Sequence, residues 1–180
     1  MRFEYETIGN HSLKPMRLKS MTSFADNTQL DPTDVAIIEI MQQDGRIAIS
    51  ELGRRVGLSQ PATSERVKRL EERGIILGYR AVIDAGKIGL GMMAIIRVRT
   101  THENISRCLV HFASMPQIIE AHRLTGEDCF HLKVVVPSAA SLETIVDAVA
   151  RYGSVITSLV LRSEPAKPIG RDLLLQSRNS

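Results

Sequence analysis

The stretch from residue 49 to residue 74, ISELGRRVGLSQPATSERVKRLEERG, constrains the fold of this chain more than any other. Two helical patterns follow one another in it, with only a tight turn between them. In the first pattern Ser50 is placed to cap the helix, and Leu52 and Val56 share one face because they are four residues apart. Gly57 suits the left-handed conformation that commonly ends a helix. This spacing predicts a helix-turn-helix.

The second helical pattern begins at Ser59, a good N-cap residue, and places Pro61 in the first turn, where no intrahelical N–H is lost. Val67 and Leu70 face inward at a spacing of three residues. The outer arcs carry basic side chains, namely Arg66, Lys68, Arg69 and Arg73. This pattern is typical of a recognition helix that enters the major groove of DNA. The alternative is a helical hairpin inside another kind of domain, with solvated charges.

A third helical pattern precedes this pair. In the sequence LDPTD, Asp31 is a suitable N-cap, Pro32 takes the first helical position and Asp34 lies in the first turn, where negative charge is favourable. The apolar stripe behind it consists of Val35, Ile37, Ile38 and Met41. The dipeptide at residues 44–45, Asp-Gly, is expected to end the helix. Residues 30–74 are therefore predicted to form a three-helix DNA-binding domain.

Positive charge is concentrated on the proposed helix-turn-helix. The chain has a formal net charge of +3, yet residues 31–90 carry nine basic and nine acidic side chains. Between Arg54 and Arg73, by contrast, six basic side chains stand against three acidic ones. A local positive field of this kind indicates docking onto phosphates more than nonspecific polycation binding.

Composition argues against several other classes of protein. Hydrophobic residues make up 43% of the chain and aromatic residues 4%, which predicts aliphatic cores. No apolar run approaches the ~20 residues of a membrane span, and residues 1–20 lack the apolar region of a secretion signal. Cys108 and Cys129 are far apart and match no metal spacing, so both are expected to be free thiols. We therefore expect a cytoplasmic protein with no membrane partner.

Residues 75–90 are expected to link two domains. Short β-prone runs at residues 75–77 and 81–83 favour either a wing beside the helices or a linking strand. The turn-rich sequence DAGKIG at residues 84–89 marks the boundary.

Residues 91–164 read as strand, helix, strand, strand, helix, strand. The four predicted strands lie at residues 92–100, 118–125, 130–136 and 154–162. Thr100 and Glu103 match a capping box for the first helix, and Ser138 is placed to cap the second. Together with the helical N-terminal part, this order predicts an α+β protein with a ferredoxin-like βαββαβ domain.

The predicted sheet has two unlike faces. Ala94, Ile96 and Val98 lie on the face that the two helices are expected to cover. The other face carries Arg97 and Arg99 of the first strand, with Ile95 and Val135 among the polar side chains. A half-apolar face without cover predicts burial against a second copy of the chain, hence a homodimer.

Taken together, these segments resemble the leucine-responsive regulatory protein family, also called Lrp/AsnC or feast/famine regulators. The resemblance rests on LDPTD, GRIAISELGRRVGLSQPATSERVKRLEERGII, GYRAVID and LTGEDCFHLKVVVPS, and it covers roughly residues 30–169. It implies a winged helix-turn-helix fused to the ferredoxin-like domain, and dimers that often assemble into octamers. It also implies a nucleoid-associated transcription regulator that binds paired half-sites on double-stranded DNA and responds to a small effector, usually an amino acid.

The resemblance carries DNA-binding roles onto the second helix, residues 59–72. Its exposed N-terminal end is expected to meet base edges or phosphates through Ser59, Gln60, Thr63 and Ser64. Arg54, Arg66 and Arg69 are expected to contact phosphates. On that assignment Arg66→Ala weakens binding to all sequences and lowers the salt slope by about one unit. The alternative for each arginine is a pairing with Glu or Asp of the protein itself.

The effector site implied by the resemblance is the loop formed by Leu124, Thr125, Gly126, Glu127, Asp128 and Cys129. Gly126 allows a ligand to approach backbone N–H groups, which suit a carboxylate, and Glu127 or Asp128 can pair with an α-ammonium. Cys129 stands where the family commonly has an aspartate, which leaves the identity of the ligand open. The alternative is a tight turn between two strands with no ligand.

No motif indicates catalysis, a metal site or a cofactor. The sequence lacks a nucleophile elbow, a phosphate loop and a dinucleotide fingerprint, and the spacing of the histidines suggests no metal site. We therefore do not expect an enzyme. Two alternatives to a ligand-responsive regulator stay open, an architectural nucleoid-type DNA-binding protein without effector and a metabolite-binding enzyme or sensor.

Two segments flank the predicted domains. Residues 1–29 show no period and are expected to form a flexible arm, or else an arm that touches DNA or a neighbouring subunit. Met21 is an alternative translation start in this interpretation. The tail at residues 165–180 is expected to pack locally as far as Leu175 and to be disordered beyond it.

Overall fold

A computed structural model describes residues 30–176, which divide between two compact units. Of the described residues, the helical unit contains 30–82 and 165–176, and the sheet unit is Ile83–Glu164. The arm predicted at residues 1–29, with Met21, and the end of the tail beyond residue 176 lie outside the described residues. In chain order the elements are α1 Pro32–Gln43, α2 Ile49–Val56, α3 Gln60–Glu72, β1 Met92–Arg99, α4 Ile105–Ser114, β2 Ile118–Arg123, β3 Phe130–Val136, α5 Ala139–Ala150, β4 Ser154–Leu159 and α6 Arg171–Gln176.

Aliphatic side chains fill the core of the helical unit, as the low aromatic content predicts. The buried members are Leu30, Val35, Ile37, Ile38, Leu52, Val67 and Leu70. The stripe predicted for α1 is therefore confirmed, with Met41 partly buried at its edge. Leu174 and Leu175 of α6 pack against the same core, so the tail packs on the helical unit as far as it is described.

Side-chain caps explain where two of the three N-terminal helices begin. Asp31 caps α1 in a reciprocal capping box with Asp34, and the Ser59 side chain caps α3. The cap predicted at Ser50 is wrong. Helix α2 begins one residue earlier than Ser50, its N-cap is Ala48 without a side-chain hydrogen bond, and Ser50 lies in its first turn.

The sheet unit has the strand order β2-β3-β1-β4, and every neighbouring pair is antiparallel. With α4 following β1 and α5 following β3, this is the predicted ferredoxin-like βαββαβ fold. The alternation predicted for β1 and β3 is confirmed, because the inward side chains of both strands are fully buried. They are Ala94, Ile96, Val98, Phe130, Leu132, Val134 and Val136.

The opposite face of the sheet is less open than its sequence indicates. Val135 is only 4% exposed, and Ile95 is half-buried. The Ser163 hydroxyl contacts the Met93 sulfur, so the chain that follows β4 runs over part of this face. Ile156 pairs with Arg97 of β1 and remains exposed on this face of the sheet.

Two local predictions in and near the sheet unit are wrong. No strand forms at residues 75–91. At the start of this segment the N–H groups of Ile75 and Ile76 both donate to the Leu70 carbonyl in the last turn of α3, so they are not available to a neighbouring strand. The rest of that segment has no regular secondary structure apart from a short 3-10 helix, Gly86–Ile88. The capping box at Thr100 is also absent, since its hydroxyl donates to the Tyr152 carbonyl.

Candidate DNA-binding surface and effector loop

The N-terminal end of α3 is the part of the helical unit best suited to meet DNA. Gly57, at φ 73°, makes the left-handed turn between α2 and α3. Ser59, Gln60 and Ser64 are exposed at the start of α3. A helix N-terminus presents backbone N–H groups and partial positive charge, which suit phosphate oxygens.

Thr63 does not share this exposure. Its side chain is fully buried, and its hydroxyl donates to the Ser59 carbonyl over 2.9 Å. The exposure expected from the sequence is therefore wrong at this position, because the first turn of α3 packs against α2. Thr63 contributes to that packing and presents no atom to DNA in this conformation.

Two arginines at the end of α2 share one carboxylate. Arg54 donates to Glu51 over 2.7 and 2.8 Å, and Arg55 donates to the same carboxylate over 2.8 Å. Hydrogen bonds from Arg54 and Arg55 lower the pKa of Glu51 to about 2. Exposed pairs of this kind contribute little stability, so a DNA phosphate can replace the carboxylate. The sequence prediction omitted Arg55, although its spacing of four residues from Glu51 was visible.

Arg69 lies on the outer arc of α3, as predicted. Its side chain is 57% exposed, and its guanidinium contacts Glu65 one turn earlier, over 2.7 Å. Lys68 makes a similar exposed contact to Glu72 over 3.5 Å. Within residues 30–176, the ion pairs of both cations run along their own helix, and both side chains keep access to solvent.

Arg66 differs from its neighbours on α3. Its side chain is 27% exposed, and its Nη1 contacts Asp31 over 2.6 Å and Asp34 over 2.8 Å. The hydrogen bond to Asp31, followed by that to Asp34, raises the pKa of Arg66. Burial raises the pKa of Asp31, but hydrogen bonds from the Asp34 N–H and Arg66 outweigh it and leave that pKa below its usual value. The outer-arc position predicted for Arg66 is thus not observed.

The loop between β2 and β3 is a tight turn on the surface of the sheet unit. The Leu124 N–H donates to the Cys129 carbonyl over 3.0 Å, and the Cys129 N–H donates to Val98 on β1 over 2.8 Å. Gly126 has φ 103°, a backbone conformation that residues other than glycine rarely adopt. The loop is exposed around Gly126, so a ligand can approach its backbone.

Both carboxylates of this loop are already paired. Asp128 contacts Arg97 over 3.1 Å, and Glu127 contacts Arg99 over 3.5 Å. Arg97 and Arg99 are two residues apart on β1, so both project from the same face of the sheet. Each of the two adjacent acids can therefore pair with a different arginine. The sequence prediction assigned the acids to an α-ammonium and missed both arginines, although their alternation on β1 was recognised.

Cys129 is a half-buried free thiol that donates to the Thr100 carbonyl over 3.2 Å. An aspartate at this position, as in the family pattern, would place a second acceptor against that carbonyl. The arrangement therefore fits a donor side chain at residue 129. Cys108, the other free thiol, lies on the buried side of α4, and burial raises its pKa.

Within residues 30–176, no helix is long and apolar enough to cross a membrane. The His, Cys, Asp and Glu side chains of the same range form no group of three that could hold a metal ion.

Both units match domains of one known protein family. Residues 30–71 match the AsnC-type helix-turn-helix domain, and residues 93–167 match the Lrp/AsnC ligand binding domain. The chain is 35% identical over 139 residues to the uncharacterized HTH-type transcriptional regulator YezC of Bacillus subtilis, covering 77% of this chain and 99% of that protein. The chain belongs to the Lrp/AsnC family.

Other Lrp/AsnC proteins extend this similarity to function and structure. The chain is 36% identical to the leucine-responsive regulatory protein of Rhizobium meliloti, over 74% of this chain and 90% of that protein. A transcriptional regulator of Neisseria meningitidis, solved as its complex with L-Met, superposes with a TM-score of 0.75 at 27% identity, over 82% of this chain and 100% of that one. This Lrp/AsnC chain is thus a transcriptional regulator with a DNA-binding and a ligand-binding domain, as predicted.

Proposed function

We propose that this Lrp/AsnC regulator binds double-stranded DNA sequence-specifically through the N-terminal end of α3 and that an amino acid modulates this binding. One observation carries the DNA-binding part. Ser59, Gln60 and Ser64 are exposed at the start of α3, and the same helix-turn-helix carries two exposed arginines, Arg54 and Arg69, that pair with glutamates of their own helices. The polar side chains supply contacts to base edges, and the arginines supply exchangeable contacts to phosphates.

The test is fluorescence anisotropy with a duplex that the wild-type chain has selected from a random library. A scrambled duplex of equal length and composition serves as the control across a salt series. We expect a preference of about 10³-fold or more for the selected duplex near physiological salt. Arg69→Met is expected to weaken binding to both duplexes equally and to reduce the salt slope by about one unit, because one phosphate contact is lost.

Two outcomes of this titration contradict sequence-specific regulation. Equal and steeply salt-dependent binding to both duplexes would favour an architectural, nucleoid-type protein. Absence of binding to either duplex would remove the DNA-binding role altogether and leave a metabolite-binding sensor or enzyme as the function of the sheet unit.

The proposed effector site is the loop that runs from Leu124 to Cys129. The L-Met complex of the Neisseria regulator supports an amino acid as the ligand class. The surface pairs of the loop contribute little stability, so an incoming ligand can exchange with them. Its carboxylate would then meet Arg97 or Arg99, and its ammonium group Glu127 or Asp128.

Replacing Cys129 with aspartate is expected to change which amino acids stabilise the protein. The new carboxylate loses the hydrogen bond to Thr100 and adds negative charge beside Glu127. The measurement is the melting temperature with each common amino acid, since a ligand at about 100 times its Kd adds about 2.7 kcal/mol. Cys129→Ser, which keeps a donor toward Thr100, should retain the wild-type response. Flat melting temperatures in all three proteins would contradict the effector site.

We also propose that the regulator assembles as a homodimer through the uncovered part of the sheet, with octamers as the higher assembly, and acts in the cytoplasm in association with the nucleoid. The exposed Ile156 beside the half-buried Ile95 supports an apolar contact on this face. A dimer places two copies of α3 about one helical turn of DNA apart, or a multiple of it. No enzymatic step enters this mechanism, and none of its contacts requires a metal or a cofactor.

A further inference from the structure

Arg66 ties the recognition helix to the beginning of α1. Its Nη1 lies 2.6 Å from Asp31 Oδ2 and 2.8 Å from Asp34 Oδ1, and these two residues precede it by 35 and 32 positions. Asp34 is buried, whereas the glutamates that pair with Arg54, Arg55 and Arg69 are not. Among the ion pairs of α3 given above, this is the one that crosses to another helix.

The same two carboxylates also build the first turn of α1. Asp31 Oδ1 accepts hydrogen bonds from the N–H groups of Thr33 and Asp34, both over 2.8 Å. Asp34 Oδ2 accepts from the Asp31 N–H over 3.4 Å. Each carboxylate therefore uses one oxygen for the capping box and the other for Arg66. If the guanidinium moved away to a DNA phosphate, it would leave the buried Asp34 carboxylate without its cation, which is unfavourable.

We propose that Arg66 is a positioning residue that fixes the orientation of α3 on α1 and thereby the placement of the DNA-reading side chains, and that it contacts no phosphate. This inference rests on the proposed DNA-binding function. It replaces the phosphate contact that the sequence assigned to Arg66. The carboxylates of Asp31 and Asp34 act with it, although neither can contact DNA favourably.

Helix geometry shows why such an anchor matters for sequence reading. Arg66 lies six residues after Gln60, which is about 9 Å along the helix axis. A tilt of about 10° around the anchor would move the start of α3 by about 1.5 Å, while binding sites require placement to within about 0.5 Å. Loss of the anchor should therefore impair discrimination between DNA sequences more than attraction to DNA in general.

The experiment compares Arg66→Met, Asp31→Asn and Arg69→Met with the wild-type chain. Methionine keeps an unbranched stem at residue 66. Asparagine is as good an N-cap as aspartate, so Asp31→Asn keeps the cap of α1 and replaces the charged acceptor that faces Arg66 with a neutral amide. Anisotropy with the selected and the scrambled duplex, across a salt series, gives the preference ratio and the salt slope. Circular dichroism sets a temperature at which every variant is folded.

We expect Arg66→Met and Asp31→Asn to lower the preference ratio by about tenfold, the effect of one lost base-pair contact, with an unchanged salt slope. Asp31→Asn is decisive because it removes a negative charge, which a purely electrostatic account expects to strengthen binding. Arg69→Met should show the converse, a lower slope with an unchanged ratio.

Two results would overturn the inference while leaving the proposed function intact. One is a slope reduced by about one unit in Arg66→Met with a normal Asp31→Asn, which would make Arg66 a phosphate contact. The other is a wild-type ratio and slope in both variants. Failure of the wild-type chain to prefer the selected duplex is a separate outcome, since it contradicts the proposed function itself.

Discussion

Replacing Gly153 with alanine is expected to destabilise the sheet unit by about 3 kcal/mol, the upper end of the usual range for overpacking. A β-carbon at this position overlaps the Arg99 carbonyl oxygen and lies 3.0 Å from the Arg99 carbonyl carbon. These are backbone atoms of β1, so no side-chain rotation relieves the contact. Arg99 pairs with Ser154 at the start of β4, and the overlap therefore pushes β4 away from β1.

Thiol chemistry measures this effect in the sheet unit alone. The two cysteines of the chain, Cys108 and Cys129, both lie in that unit, and Cys108 is fully buried. A loss of 3 kcal/mol should raise the rate at which a thiol reagent labels Cys108 roughly a hundredfold, since each 1.4 kcal/mol is a factor of ten. It should also lower the melting temperature of the sheet unit by about 15 °C.

Gly91→Ala is the matched control for Gly153→Ala. A β-carbon at Gly91 meets nothing within 4 Å, so the change is expected to stay within about 0.5 kcal/mol. Light scattering of both variants tests the proposed dimer at the same time, because a distorted β4 removes Ile156 from the uncovered face. Equal labelling rates in the two variants would contradict the close approach of β1 and residue 153.

The parts of the fold that were predictable from the sequence are those set by burial along one element. Val35, Ile37 and Ile38 follow a helical period because one side of α1 faces a core. Phe130 and Leu132 alternate because one side of β3 faces the helices. Local caps such as Asp31 were also predictable, since their partners lie within three residues.

Features that depend on a distant segment were not predictable in this way. Thr63 lies four residues before Val67, on the inward stripe of α3, but as a polar residue it was expected to be exposed, and Arg66 flanks that stripe. The packing of α2 buries Thr63, and two carboxylates of α1 bind Arg66. The β-prone residues 75–77 follow the same rule, because Ile75 and Ile76 close α3 and join the helical core in place of a strand.

The candidate effector loop was located by resemblance, but its electrostatics come from the sheet register. Arg97 and Arg99 reach the loop because β1 lies next to β3 with Val98 opposite Phe130. Sequence reasoning placed those arginines on one face of β1 without fixing which loop they would meet. A ligand bound at the proposed site would therefore compete with two ion pairs that no local sequence motif indicates.

Replacing Gly53 with alanine is expected to destabilise the helical unit by about 2 kcal/mol and to weaken DNA binding. A β-carbon at Gly53 lies 2.8 Å from the Leu58 carbonyl oxygen and 2.8 Å from Thr63 Oγ1. The Leu58 N–H in turn donates to the Gly53 carbonyl, so the backbone of the turn cannot move away alone. The substitution separates α2 from the first turn of α3, where the proposed DNA-reading residues Ser59 and Gln60 lie.

Helix propensity and packing predict opposite signs for the change in stability caused by Gly53→Ala. Within a helix alanine is favoured over glycine by about 1 kcal/mol, so an isolated α2 would gain stability from Gly53→Ala. Thermal unfolding followed by circular dichroism, with Cys108 labelling as the measure of an intact sheet unit, separates the two. Gly45→Ala is the control, because its β-carbon makes only ordinary contacts of 3.4 Å or more. A more stable Gly53→Ala protein with full DNA affinity would show that α2 and α3 do not pack as closely as the structure places them. The burial of Thr63, which depends on that packing, would then have no explanation.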